Sequence, residues 1–453
     1  MTNLFKKTKR RKEAMNMNNK TGRNLWNKAK KIIPGGSQLL SKRSEQFLPD
    51  QWPAYYKEAT GVEILDLDGN RLTDMCLMGV GACILGYADP DVNREVKKAI
   101  DMGSMSTLNC PEEVELAEVL LKIHPWAGMV RYSRCGGEAM AVAVRIARAY
   151  SGKEKVAFCG YHGWHDWYLA ANLADDKNLD GHLLSGLEPA GVPRGLKGTS
   201  IPFNYNKIED LERITEKNEL GAIVMEPMRH HAPEKGFLER VRKIAEDTGA
   251  VLVFDEITSG WRMNASGVHE LYGVQPDIVV YGKAMSNGYP MSAIIGKSQV
   301  MDAAQKSFIS STYWTERIGP TAALATIEKI RSLNVPKHLC SIGRDICDGW
   351  DELSKKHVLD IEILDAFTPL PVYSIKHPEA QAMRTLITQE MLKRGFLAGN
   401  SVYVSYAHKK EHVEKYLENL DEVFALVTQA VEKNDVRSRL NGPLAQQGFK
   451  RLN

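Results

Sequence analysis

The chain lacks the marks of a secreted or membrane protein. Its 453 residues hold seven cysteines: Cys76, Cys83, Cys110, Cys135, Cys159, Cys340 and Cys347. The count is odd, the spacing is scattered and no CxxC pair occurs. That argues against a disulfide framework or a structural zinc site, so no metal is expected and a reducing cytoplasm is. No long apolar run appears, so neither a signal peptide nor a membrane span is expected. Repeats and low-complexity linkers are missing as well. A net charge of +3 gives no general reason to expect a nucleic-acid partner. The exception is local. "KKTKRRK" at 6–12 reads as a nucleic-acid or membrane-surface arm, or as a solvated, frayed N-terminus. No aromatic or amphipathic pattern accompanies the charges, which favours the second reading.

What is present is ordinary in bulk: 43% hydrophobic and 25% charged residues. The length exceeds one simple core and predicts two domains or one large interwoven one. The middle of the chain alternates apolar runs with amphipathic segments. The runs at 130–135, 155–160, 221–227, 250–257, 277–283 and 291–297 predict strands. They are continuous rather than alternating, as expected when both faces of a sheet are covered. Helices are predicted over 137–150 and over 237–249, the latter stopping on Gly249. The resulting expectation is an α/β fold with a mostly parallel central sheet and helices on both faces. At the flanks, "TGVEILDLDGNRLTDMC" (60–76) predicts a β-hairpin around "DLDGN". Residues 370–434 read as strand-helix-strand followed by a long charged helix. We expect a basic arm at 1–20, a large domain at 76–330, a smaller α+β domain assembled from 21–75 and 331–435, and a polar surface tail at 436–453.

Ligands of open α/β sheets bind outside the carboxyl ends of the strands. Unusual residues fall at successive predicted ends here: Arg134-Cys135-Gly136-Gly137-Glu138, then Tyr161-His162-Gly163, Glu226, Asp255-Glu256 and Lys283. One such acid means little, but five clusters point to a shared site. Lysine is seldom buried unless paired or used, and a desolvated lysine is a good nucleophile towards carbonyls. Asp255 in "VLVFDEI" either meets water at the strand end or holds a buried cation. Gly136 and Gly137 offer free amides at a helix start, suited to a phosphate. Tyr161 offers either a core ring or a stacking face. Phosphate cradle, stacking ring, acid and aldehyde-capturing lysine together match pyridoxal 5′-phosphate.

Over roughly residues 24–430 the sequence resembles the class III aminotransferases of PLP fold type I, and among them the glutamate-1-semialdehyde 2,1-aminomutase-like branch. The resemblance rests on "AKKIIPGG" (29–36), "GVEILDLDGN" (61–70), "LGYADPDV" (85–92), "GGEAMAVAVRIARAYSGKEKV" (136–156), "YHGWHD" (161–166), "VLVFDEITSGWR" (251–262) and "PDIVVYGKAMSNGYPMSAIIGK" (276–297). It implies that Lys283 forms the internal aldimine and shuttles a proton, and that Asp255 pairs with the pyridine nitrogen. It implies that Tyr161 stacks on the ring with Ile257 behind it, and that Glu226 and His162 lie near the cofactor. Cys135, Gly136 and Gly137 would form the phosphate loop. Thr312 would reach the phosphate of a neighbouring subunit, giving a homodimer with shared active sites. The implied activity is transfer of an amino group from an amino-acid donor to a keto or aldehyde acceptor by a ping-pong cycle. Partners would be small molecules, with no nucleic acid and no membrane.

Several positions depart from that branch. Cys135-Gly136-Gly137 stands where a Ser-Gly-Thr/Ser loop is usual, which removes a hydroxyl donor. "STYWTERIGP" places Glu316 and Arg317 in an altered loop near the neighbouring site. "PGGSQLLSKR" puts Lys42 or Arg43, depending on register, where the mutases carry a carboxylate-binding arginine. Asn400 stands where they carry a glutamate. Both last changes favour a transaminase over an intramolecular 1,2-aminomutase. A third reading, a non-enzymatic regulator using the basic run, lacks residues for a DNA-binding domain.

Overall fold

The computed structural model describes residues 19–182 and 184–449; the basic run at 6–12 lies outside the described residues. β1 (Tyr56–Thr60), β2 (Glu63–Asp66) and β3 (Arg71–Met75) form an antiparallel meander. The β2–β3 turn is the expected one: the Asp66 carboxylate accepts from the backbone of Asp68 and Asn70, and Gly69 takes φ 87°. Asparagine, aspartate and glycine are favoured there because they bond their own backbone or tolerate positive φ.

The central sheet has seven strands: β4 (Met129–Ser133), β5 (Lys155–Cys159), β6 (Ser200–Pro202), β7 (Leu220–Met225), β8 (Val251–Asp255), β9 (Ile278–Tyr281) and β10 (Ser292–Gly296). Their order is β4-β10-β9-β8-β7-β5-β6. Only β10 runs antiparallel to its neighbours β9 and β4. Every residue of β7, β8 and β9 is buried, which explains their unbroken apolar runs. Fully burying one such aliphatic side chain contributes about 1.5–3 kcal/mol. β6 escaped the sequence reading because it is a three-residue edge strand containing proline, a position where no ladder donor is needed. The helix Gly136–Ser151 packs across β7, β8, β9 and β10. The helix Phe237–Thr248 stops at Gly249, φ 68°.

β11 (Ile361–Leu364) pairs with β12 (Val372–Ile375), and β13 (Phe396–Ala398) pairs parallel with β3. Both flanks of the chain therefore share one sheet. The helix Lys410–Glu432 packs on the helices Val335–Lys356 and Ala380–Lys393. The last described stretch is strapped down: Ala445 N–H donates to Thr385 Oγ1, and Gln446 N–H to the Glu45 carbonyl.

Candidate active site

Strand register brings the predicted residues together. Cys159 pairs with Met225, and Met225 with Phe254. Gly160, Glu226 and Asp255 therefore lie side by side at the carboxyl ends of β5, β7 and β8. Gly160 has φ 113°, and a Cβ there would sit 2.7 Å from Glu226 Oε2. The absence of a side chain is what lets the carboxylate reach across and accept from Tyr161 N–H at 3.0 Å.

Asp255 is 3% exposed. One oxygen accepts from Ile257 N–H at 3.0 Å, and the other faces His162 Nδ1 at 2.8 Å. The second ring nitrogen of His162 lies 3.1 Å from the Cys159 carbonyl. His162 thus stands behind the carboxylate and holds it. Ile257 packs against the start of the helix Gly136–Ser151, where a Cβ on Gly136 would come within 2.9 Å of its Cδ1. On the other side, Gly163 (φ 98°) brings the Tyr161–His165 loop down on Gly137; a Cβ at Gly163 would lie 2.9 Å from Gly137 Cα. Cys135 is exposed at the cap of this helix, and Glu138 Oε2 accepts from both Arg134 and Cys135 amides. Among the described residues, no acceptor faces the Gly136 and Gly137 amides, which point out of a 16-residue helix.

Lys283 follows β9 after Gly282, with φ 43°. A non-glycine residue in that region is strained by about 1–3 kcal/mol and needs its surroundings to hold it. Its Nζ donates to Thr258 Oγ1 at 2.9 Å. Among the described residues it has no ion-pair partner. Burial pushes the amine below the ordinary lysine range; Tyr403 opposes this and Arg229 reinforces it.

Four neighbours of Lys283 and Asp255 were not singled out from the sequence. Thr258 and Arg262 lie within "DEITSGWR", but nothing in that string shows where they point. Arg229 pairs with Glu226 at 2.8 Å. Tyr403 arrives from the C-terminal part of the chain. The Arg262 guanidinium is fully buried, with its carbon 5.4 Å from the Tyr403 ring centre, and donates to the Thr258 and Gly81 carbonyls. Burial brings it down to about 10. Burial alone would raise the Tyr403 phenol, yet Lys283, Arg229 and Arg262 outweigh it and hold the phenol below its ordinary value. Glu226 behaves likewise: burial raises it, but Arg229, His162 and the Tyr161 amide together hold it below the usual carboxylate value.

Two cavities flank this cluster, and neither is lined by Lys283 or Asp255. One of about 610 Å³ is lined by Trp26, Lys42, Tyr55, Cys83, Tyr87 and Gly288 among others. The other, about 240 Å³, is lined by Glu226, Arg229, His182, His230 and His231 among others. Lys42 faces the larger cavity, whereas the Arg43 guanidinium lies against Gly35 and 5.8 Å from the Phe449 ring centre.

Asn400 is tied to Tyr373 by bonds in both directions and serves the backbone. Glu316 pairs with Arg134 at 2.7 Å and caps the helix Ile318–Ser332 through Ile318 and Gly319 amides. Arg317 pairs with Glu112. The altered loop is therefore fastened within the chain, and Thr312 on it is exposed, away from Lys283's own contacts.

Residues 48–424 match the family described as aminotransferase class-III. The 3-aminobutyryl-CoA aminotransferase of Cloacimonas acidaminovorans is 29% identical, over 89% of this chain and 96% of that protein. The glutamate-1-semialdehyde 2,1-aminomutase of Methanothrix thermoacetophila is 30% identical over 90% and 96%. In fold, the FumI protein of Sphingopyxis sp. MTA144, solved in its PLP internal aldimine form, superposes with a TM-score of 0.82 at 23% identity, covering 91% of this chain and 97% of that one. The chain belongs to the class III aminotransferase family.

Proposed function

We propose that the protein is a pyridoxal 5′-phosphate-dependent transaminase, moving an amino group from an amino-acid donor to a keto or aldehyde acceptor in a ping-pong cycle. One observation carries the reading: a half-buried lysine at the end of β9, without an ion-pair partner among the described residues, beside a buried carboxylate at the end of β8 that His162 holds. The residues fit the cofactor. Gly136, Gly137 and Gly163 let Ile257 and the Tyr161–His165 loop close on the helix start, leaving a cradle of amides that have no acceptor among the described residues. Asp255 keeps a lone pair on each oxygen beyond its two bonds.

When bound, the cofactor supplies an aldehyde that captures amines and a ring that takes up the electron pair left by proton removal. The chain supplies the rest. Gly136 and Gly137 amides would hold the phosphate, with Cys135 contributing only its backbone position. Tyr161 and Ile257 would hold the ring between them. Asp255 would accept from the pyridine N–H, and Glu226 with Arg229 fixes the Tyr161 loop. Lys283 Nζ takes a proton from the substrate carbon and returns it, and its lowered pKa enlarges the neutral fraction able to do so. Thr258 orients that amine. Lys42 faces the larger cavity as a receiver for a substrate carboxylate.

Exposed apolar side chains support a homodimer in which Thr312 of a second copy reaches the site. Leu108, Trp164, Phe308 and Tyr313 are 70–88% exposed, and a second copy would shield such apolar surface from water. No described helix is long and apolar enough to cross a membrane. Seven free thiols support a reducing, cytoplasmic setting.

The test is a half-reaction. A suitable amino donor alone should convert the bound cofactor to its amine form and release one keto acid per chain; an acceptor should then restore the starting spectrum. Isomerisation of a single substrate without keto-acid release would make the protein an aminomutase instead, like many of its relatives. Lys283→Ala should lose turnover and the Schiff-base absorption band, and a band that persists assigns the amine elsewhere.

A further inference from the structure

Asp255 is followed by Glu256, a fully buried carboxylate that the transamination chemistry does not use. Glu256 accepts from Ser259 Oγ, Val268 N–H and His269 N–H, and its Oε1 lies 2.6 Å from His269 Nδ1. That contact fixes the imidazole and leaves His269 Nε2, itself buried and without a hydrogen-bond partner, aimed at a small cluster. There the Glu270 Oε1 lies 3.5 Å from His269 Nε2 and 3.6 Å from His124 Nδ1. His124 is fully buried at the end of the helix Glu112–Ile123, and neither of its nitrogens has a hydrogen-bond partner. Native proteins rarely leave buried imidazole nitrogens unsatisfied.

These separations are too long for good hydrogen bonds. They suit ligand atoms sharing one ion: tetrahedral bonds of about 2.0–2.1 Å set neighbouring ligands about 3.3–3.4 Å apart. All three atoms lie within 4.8 Å of one another. Glu256 supplies the outer carboxylate that commonly orients a metal-bound histidine and fixes its tautomer. Glu270 is the one partly exposed ligand, which gives an ion a path in.

We propose that His124, His269 and Glu270 bind a divalent cation of the zinc class, with a water completing the tetrahedron. The site clips the end of the helix Glu112–Ile123 to the segment following β8. Since that segment starts directly after Asp255 and carries Thr258, the ion braces the wall of the active site without touching the reacting atoms. Cysteine spacing could not reveal it, because two imidazoles and a carboxylate from distant parts of the chain compose it.

The experiment uses full-length, cofactor-loaded protein stripped with a chelator and titrated with zinc against a chromophoric competitor. Bound metal is counted by mass spectrometry, and cobalt substitution reports coordination geometry through its ligand-field absorption. Expected are one ion per chain, a tetrahedral cobalt spectrum, and zinc affinity lowered at least about 100-fold by Glu270→Gln or His124→Gln. Glu256→Gln should weaken it about 10–100-fold. Glu270 is partly exposed, so Glu270→Gln keeps the test valid if a histidine variant does not fold. Zinc should raise the melting temperature of the wild type and leave that of Glu270→Gln unmoved. Binding of less than one ion per chain, or affinity unchanged in Glu270→Gln, would overturn the assignment; the cluster would then be a proton-sharing network only.

Discussion

Glu226→Gln is the most informative single change, because it keeps shape and removes charge. In the wild type, Oε1 holds Arg229 at 2.8 Å and Oε2 accepts from Tyr161 N–H at 3.0 Å. Both side chains are largely shielded, at 7% and 15% exposure. An amide satisfies only one of these partners. With its oxygen towards Arg229, its NH₂ opposes the Tyr161 amide; reversed, it opposes a guanidinium. Either way Arg229 loses its carboxylate, and a buried charge stripped of its partner costs about 3–5 kcal/mol. Equilibrium urea unfolding of the cofactor-loaded protein at neutral pH should show a loss of that size. The pH dependence has a defined sign. Glu226 lies below its ordinary value of 4.5 when folded, so its contribution is complete above that value and disappears as pH falls through the folded one. The gap between wild type and variant should therefore be full above about pH 5.5 and close in acid. A double variant with Arg229→Met should recover at least about 2 kcal/mol relative to Glu226→Gln, since no charge is then stranded. A loss below about 1 kcal/mol, or strictly additive single effects, would refute the claim that this pair sustains the site.

Gly163→Ala should weaken cofactor binding at least about tenfold, equivalent to about 1.4 kcal/mol, because its Cβ would lie 2.9 Å from Gly137 Cα at φ 98°; titration of the stripped protein with pyridoxal 5′-phosphate measures this, and unchanged affinity contradicts the cradle. Asp255→Ala should lower kcat at least about 100-fold while retaining some bound cofactor, and near-normal turnover would remove its electron-sink role. Lys42→Met should raise KM for a carboxylate-bearing substrate about tenfold with kcat little changed; steady-state kinetics that show the reverse would place Lys42 elsewhere.

The sequence by itself determined the alternation of buried strands and helices, and with it the rank of residues at the strand ends. β7, β8 and β9 are covered on both faces, so their apolar runs are continuous and readable locally. Lys283 and Asp255 stood out because charged residues beside such runs are costly to bury. Gly136 and Gly137 were legible because a helix start follows them directly. Tertiary structure alone decided what depends on side-chain direction or on distant segments. Whether Lys42 or Arg43 meets the cavity is a matter of which way a short helical turn faces. His162 reads as a cofactor neighbour in sequence, and only the structure sets its ring against Asp255. Arg262 and Tyr403 meet near Lys283 only because the segment after β13 folds back over the carboxyl ends of the central strands. The His124, His269 and Glu270 cluster has the same origin. Local pattern fixes which face of an element is buried, whereas charges that perturb one another act through space, and only the packed chain sets those distances.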